Sequence, residues 1–168
     1  MKRYFAGIDN GLDGGIVVLD EAGTISHREP IPTIKEGKSR RIDVTELDVQ
    51  LSDLGNLPVS VCVEPAQSFS PGKSALCSTW RSWGLIESLL ILRQIQYETV
   101  NPRKWQREFW TTPKMPKGKK FDTKAAALLA ASKLWPSENW TKSDRSTKPH
   151  DGMIDAALIA EYWRRRAK

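Results

Sequence analysis

Short apolar runs that stop at acids and glycines dominate the first half of the chain, and apolar residues at helical spacing dominate the rest. The opening run, Tyr4, Phe5, Ala6, Gly7 and Ile8, ends in Asp9. A turn holding Gly11, Gly14 and Gly15 follows, and then a second run, Ile16, Val17, Val18 and Leu19. Runs of this length bounded by Gly and Asn/Asp predict two buried strands with a tight connection. Asp9 then sits where a strand stops and the backbone opens to solvent. The glycines are expected to keep the space above it clear and to allow tight hairpin geometry. Asn10 and Asp13 read as turn residues. Asp20, Glu21, Ala22 and Gly23 read as a turn, residues 24–29 as a third antiparallel strand, and Pro30 and Pro32 as its end. Residues 35–41, with Lys35, Lys38, Arg40 and Arg41, read as a basic glycine-containing loop, either a solvated connection or a phosphate contact.

Val44, Leu47, Leu51 and Leu54 predict a helix over 43–54. Residues 58–64 form another apolar run ending in an acid, Glu64, and Pro65 keeps Glu64 extended. Residues 66–78 read as a polar loop carrying Phe69. A long helix is expected over 79–94. Its wide apolar side, Trp83, Ile86, Leu89, Leu90 and Leu92, suits burial against a sheet and a second subunit. A short strand at 97–100 precedes a helical stretch over 101–109 with Pro102 in its first turn. Residues 111–122 form a basic loop. Asp122 or Thr123 caps a helix over 124–134, residues 137–149 are a polar loop, and residues 150–166 are the final helix. Three strands, a helix, a strand, a helix, a strand and then helices make an α/β layer fold. Its sheet is mixed and five-stranded, with the hairpin strands antiparallel and the later ones parallel.

Composition narrows the setting. A chain of 168 residues is expected to be one domain, 1–168. Hydrophobic content of 39% and seven tryptophans exclude a disordered chain. The net charge of +6 favours an anionic partner, nucleic acid before anionic membrane. No apolar run approaches the ~20 residues of a membrane span, and the first strand starts too early for a signal or transit peptide. Cys62 and Cys77 are too few for a disulfide framework or a zinc site, and Cys62 reads as a small core residue. A reducing, cytoplasmic location is expected.

The acids carry the candidate chemistry. Neighbouring strands ending in Asp9 and Glu64 would set two carboxylates side by side. Asp151 and Asp155 stand at i and i+4 on one face of the last helix, continued into the core by Leu158, Ile159 and Tyr162. Like charges at that spacing repel, the helix N-terminus offsets part of this, and a divalent cation would offset more. Four carboxylates without a cysteine pair suit a hard cation, Mg²⁺ or Mn²⁺. Two such ions ~4 Å apart can hold an attacking water and a leaving 3′ oxygen on either side of a phosphodiester. Each acid alone also fits a turn, a cap or a solvated charge. Asp155 and Glu64 adjoin apolar runs and need a partner. Asp151 fits a helix cap as well as a ligand, and His150 a cap neighbour, a proton shuttle or a phosphate contact.

With strand-Asp9-Asn10-Gly11 at the start, strand-Glu64 in the middle and a last helix reading from His150 and Asp151 through Asp155 to Ala160, the chain resembles the RuvC-like Holliday-junction resolvases of the ribonuclease H-like superfamily. The phage and organellar branches are nearer in flavour than the bacterial core enzyme. The resemblance covers nearly the whole chain in motif order. It implies a ribonuclease H-like fold, with helices on both faces of the sheet. Asp9 matches the first-strand aspartate, Glu64 the fourth-strand glutamate and Asp155 the last-helix aspartate. Asp151 matches the preceding acid of members with i,i+4 spacing, while other members use a three-residue spacing or a His there, so His150 is carried as a supporting residue. Asn10 stands where proline is often found, with no effect expected on metal binding. The resemblance further implies two Mg²⁺ or Mn²⁺ per active site, no small-molecule cofactor, and a homodimer, for which helix 79–94 is the expected interface. Phe69 falls in what resembles a junction-probing loop, where it would either stack on a splayed base or pack back on the loop. Lys73, Arg81, Arg103, Lys104, Arg107, Lys114, Lys117, Lys119 and Lys120 are candidate phosphate contacts, which position DNA without reading sequence. Trp105 and Trp110 are read as packing residues.

The expected function is metal-dependent endonucleolytic resolution of four-way DNA junctions, by paired symmetric nicks that leave 5′ phosphate and 3′ hydroxyl ends. Alternatives are a ribonuclease H-like nuclease on RNA–DNA hybrid or branched or flap DNA, a non-catalytic DNA-binding relative, and an actin- or sugar-kinase-like phosphate-binding module. The last needs a second domain for which the chain has no room, and it leaves Asp151 and Asp155 without a purpose.

Overall fold

The computed structural model describes residues 3–68 and 72–167. The elements run β1 (Tyr4–Asp9), β2 (Gly15–Asp20), β3 (Ile25–Pro30), β4 (Thr33–Glu36), β5 (Ser39–Ile42), α1 (Val44–Gly55), β6 (Val59–Glu64), α2 (Lys73–Leu92), β7 (Tyr97–Thr99), α3 (Pro102–Gln106), α4 (Thr123–Leu134) and α5 (Asp151–Arg164). Five strands form a mixed sheet in the order β3-β2-β1-β6-β7. β1 is its centre, antiparallel to β2 and parallel to β6.

The period-2 alternation of the strands divides the core in two. Ala6, Ile8, Ile16, Val18, Val61 and Val63 point to one face and pack on α1 and α2. Val17, Leu19 and Cys62 point to the other, beneath α3, α4 and α5. Helices therefore cover both faces, and β1, buried on both, reads as a continuous apolar run. Side-chain caps open α1, α3 and α4, that of Asp122 on α4 as expected. The Asp43 carboxylate accepts from the Glu46 N–H, that of Asp122 from the Ala125 N–H, and the Asn101 side chain from the Arg103 N–H ahead of Pro102. No helix among the described residues is long and apolar enough to cross a membrane.

α5 fixes the site, and it lies unusually close to the sheet. A Cβ on Gly7 would fall 2.0 Å from the Ala156 carbonyl oxygen and 2.4 Å from the Ala160 nitrogen. Glycine in the centre of β1, opposite the small residues Ala156, Ala157 and Ala160, lets the helix axis descend onto the strand. At the start of α5 the same contact recurs. A Cβ on Gly152 would lie 2.0 Å from the Asp13 carbonyl oxygen, and Gly14 and Gly152 form a parallel bridge.

Two segments differ from the sequence reading. Residues 35–41 are not a loop, because β4 and β5 pair there as a separate antiparallel hairpin around Gly37 at φ 62°. Its strands carry mostly charged and polar side chains, so no apolar alternation announced them, and the one local signal was a glycine able to take the left-handed turn conformation. α2 begins at Lys73, six residues before the expected start at 79. Its first turns are polar and mostly exposed, which erases the apolar periodicity by which a helix is recognised.

Candidate active site

β1 and β6 run parallel in a register that pairs Asp9 with Glu64. The two acids therefore end adjacent strands at the same edge of the sheet. The close seating of α5 brings Asp155 to the same point from above. Burial is the largest influence on all three. It pushes the Asp9 carboxyl up to about 6, against the pull of the Gly11 N–H, which donates to Oδ1 at 3.2 Å. Glu64 is pushed up to about 7 by burial and then by Asp9, opposed by the Trp105 indole. Asp155 is pushed up to about 8 by burial and then by Asp9, Glu64 and Asp151, with Lys124 as the weaker opposing charge. Asp9 raises both Glu64 and Asp155, and Glu64 raises Asp155, so the desolvated carboxyls lie within electrostatic reach of one another.

Two further side chains hold Glu64. The Trp105 Nε1–H donates to its Oε2 at 2.8 Å, and the Asn10 side-chain amide donates to its main-chain carbonyl at 2.5 Å. Trp105 is 1% exposed and stands edge-on to Trp110, ring centroids 5.7 Å apart. It packs as expected, but its polar edge serves the site, a role that residue type alone did not signal. Asn10 is buried rather than a turn residue, and it ties β1 to β6 just where the acids emerge.

Asp151 stands one helical turn before Asp155, at the rim, with its side chain 44% exposed and ion-paired to Lys124. The helix cap is His150. Its Nδ1 accepts from the Met153 N–H at 3.2 Å, and burial lowers its pKa. Asp13 stays exposed in its turn, paired to Arg40 at 2.9 Å. The glycine turn corrects one expectation. A Cβ on Gly15 would meet Met153 Cα at 2.8 Å, and one on Gly14 the Asp9 carbonyl oxygen at 2.0 Å. These two serve close packing, and the clearance beside the Asp9 carboxylate belongs to Gly11.

The donor set fits a hard divalent cation: Asp9, Glu64 and Asp155 are desolvated carboxylates opposed from the rim by Lys124. Among the described residues no group of three or more His, Cys, Asp or Glu stands close enough together to hold a metal ion in these side-chain positions. Glu64 Oε2 and Asp151 are engaged by Trp105 and Lys124 instead.

Two of the candidate DNA contacts, Arg103 and Arg107, wall a groove that adjoins this edge. Gln106, Thr123 and Lys124 line a cleft with Asp151 and Asp155. Gln106 and Thr123 continue into a groove walled by Arg103, Arg107, Trp110 and Thr111. Lys104 is exposed on α3, and Lys114, Lys117, Lys119 and Lys120 are exposed in the connection to α4. Lys73 and Arg81 are exposed on α2. Phe69 lies outside the described residues.

No protein-family model matches the chain, and no curated protein does. Its three-dimensional structure is similar to two solved structures of Thermus thermophilus RuvC. One, in complex with a Holliday junction substrate, aligns over 96% of this chain and 92% of that one, with a TM-score of 0.61 at 14% identity. The other covers 99% and 96%, with a TM-score of 0.53 at 13% identity. At such identities the likeness is one of architecture: the mixed five-stranded sheet with its flanking helices is the ribonuclease H-like fold of RuvC.

Proposed function

We propose that the chain is a metal-dependent endodeoxyribonuclease that resolves four-way DNA junctions by paired symmetric nicks. The observation that carries this reading is the convergence of Asp9, Glu64 and Asp155 at one sheet edge, each raised by burial, Glu64 further by the charge of Asp9 and Asp155 by the charges of both. The RuvC likeness, which includes a complex with a Holliday junction substrate, supports the choice of substrate.

Asp9, Glu64 and Asp155 would hold two Mg²⁺ or Mn²⁺ ions, with Asp151 completing the set once Lys124 swings aside. Such ions, when bound, lower the pKa of water and neutralise charge on the phosphodiester. The chain's own residues do the rest. Trp105 and Asn10 fix Glu64 from its side chain and its backbone, as outer hydrogen-bond partners orient metal ligands elsewhere. Gly11 leaves room for the scissile phosphate. His150 supports the site by capping α5, which keeps Asp151 and Asp155 in register. Arg103, Lys104, Arg107, Lys73, Arg81 and the four lysines of the 111–122 connection hold the polyanion, and Phe69 stacks on a splayed base.

Symmetric cutting needs two sites facing each other, hence a homodimer. α2 offers the surface: Trp80 and Ile91 are exposed, and between them Gly84 has open space where a side chain would stand. Labelled four-way junction, duplex, flap and RNA–DNA hybrid incubated with Mg²⁺ or with EDTA test the proposal. Paired nicks on the junction alone, abolished by EDTA, are expected. Cleavage of the hybrid in preference to the junction would replace the substrate, and no cleavage with Mg²⁺ or Mn²⁺ would defeat the reading.

A further inference from the structure

Between the β4–β5 hairpin and the first turns of α2 runs a groove of which the reading above uses only Arg81. Its walls carry the guanidinium groups of Arg40, Arg41 and Arg81, the hydroxyls of Ser74 and Ser78, and the thiol of Cys77. Leu12, in the glycine turn three residues after Asp9, also lines it, which ties the groove to the turn that follows the first carboxylate. The groove walled by Arg103 and Arg107 shares Gln106 and Thr123 with the cleft lined by Asp151 and Asp155, on the α3–α5 face of the sheet, whereas this one lies on the α1–α2 face.

Its electrostatics are those of an anion site. Asp13 engages Arg40 through Nη2, and Glu36 sits 3.3 Å from Arg41, but Arg81 has no acidic partner among the described residues. Lys35, Lys38 and Lys73 stand on the same hairpin and helix and leave the surroundings net positive. Planar guanidinium forks and short hydroxyl donors match phosphodiester oxygens in geometry and in charge. The Asp13–Arg40 pair also ties the hairpin to the turn that follows Asp9, so a backbone held there is registered against the site.

We propose that this groove seats the phosphodiester backbone of DNA on the opposite flank of the carboxylates from the α3–α4 groove, so that the strand is gripped on both sides of the cut. This rests on the nuclease reading above, and it assigns the hairpin a binding role.

Cys77 supplies a native reporter. It is exposed, and the other cysteine, Cys62, is buried. The full chain in EDTA, saturated with four-way junction DNA as judged by fluorescence anisotropy, is treated with iodoacetamide and followed by mass spectrometry. Alkylation of Cys77 is expected to slow at least about tenfold when junction is bound. The double variant Arg40→Gln/Arg81→Gln is expected to bind junction about tenfold or more weakly, with a salt slope reduced by about two, as for two lost phosphate contacts. It should also lose the protection of Cys77. Unchanged alkylation at saturating junction overturns the groove while leaving the nuclease reading intact. So does Cys77 protection that rises with protein concentration in the absence of DNA, which would make the groove an interface between copies. If the double variant fails to fold, as judged by circular dichroism, the wild-type footprint alone decides. No junction binding at all by the wild type would remove the nuclease reading and the groove together.

Discussion

Neutralising Asp155 should stabilise the metal-free protein while abolishing its chemistry. The Asp155 carboxyl is held at about 8 against an ordinary value of 3.8. Between those values the folded chain keeps a proton that the unfolded chain releases, so stability falls as pH rises through that window and stays low above it. At about 1.4 kcal/mol per pH unit, the gap caps the cost of the ionised group at about 6 kcal/mol. Relaxation of the cluster and entry of water reduce that cap, and a buried asparagine amide carries a desolvation cost of about 1–3 kcal/mol. A net gain of about 2 kcal/mol is expected for Asp155→Asn at pH 8.5, which for a chain of this size raises Tm by about 4–8 °C. Thermal melts in EDTA at pH 5, 7 and 8.5 measure it. Wild type should lose stability along the series, and Asp155→Asn should lose less. Added Mg²⁺ should raise the wild-type Tm by mass action and leave the variant nearly unmoved. A variant less stable than wild type at pH 8.5 in EDTA, or a wild-type Tm that does not fall between pH 5 and 8.5, would refute the account of the cluster as an uncompensated charge.

Other substitutions separate chemistry from architecture. Asp9→Asn should abolish junction cleavage yet bind junction within about threefold of wild type in gel shift, whereas loss of binding together with loss of the circular dichroism signal would make Asp9 structural. Trp105→Phe removes the indole donor to Glu64, whose carboxyl then rises further. Cleavage should fall by about 10–100-fold with its pH profile moved to higher pH, and an unmoved profile would limit Trp105 to packing. Gly7→Val drives a side chain into the Ala156 carbonyl and should cost at least about 2–3 kcal/mol in urea denaturation. A cost below about 0.5 kcal/mol would mean that α5 does not depend on this close approach.

The sequence by itself determined much of this protein, because the burial that builds its strands leaves a periodic record. Runs ending at Asp9 and Glu64, the helical spacing of residues 43–54, the cap at Asp122, and the apolar continuation behind Asp155 were all legible from local chemistry. Where burial was absent the record was blank, as in the charged β4–β5 hairpin and the polar first turns of α2. Only the tertiary structure decided which acids meet. The one-to-one register of β1 with β6 pairs Asp9 with Glu64, and the descent of α5 onto Gly7 and Gly15 carries Asp155 to them. It left Asp151 at the rim with Lys124, gave the cap to His150, turned Trp105 and Asn10 into supports for Glu64, and took Gly14 and Gly15 from clearance to packing. These are contacts between residues far apart along the chain, settled by backbone approach and hydrogen-bond direction, and neither leaves a trace in residue order.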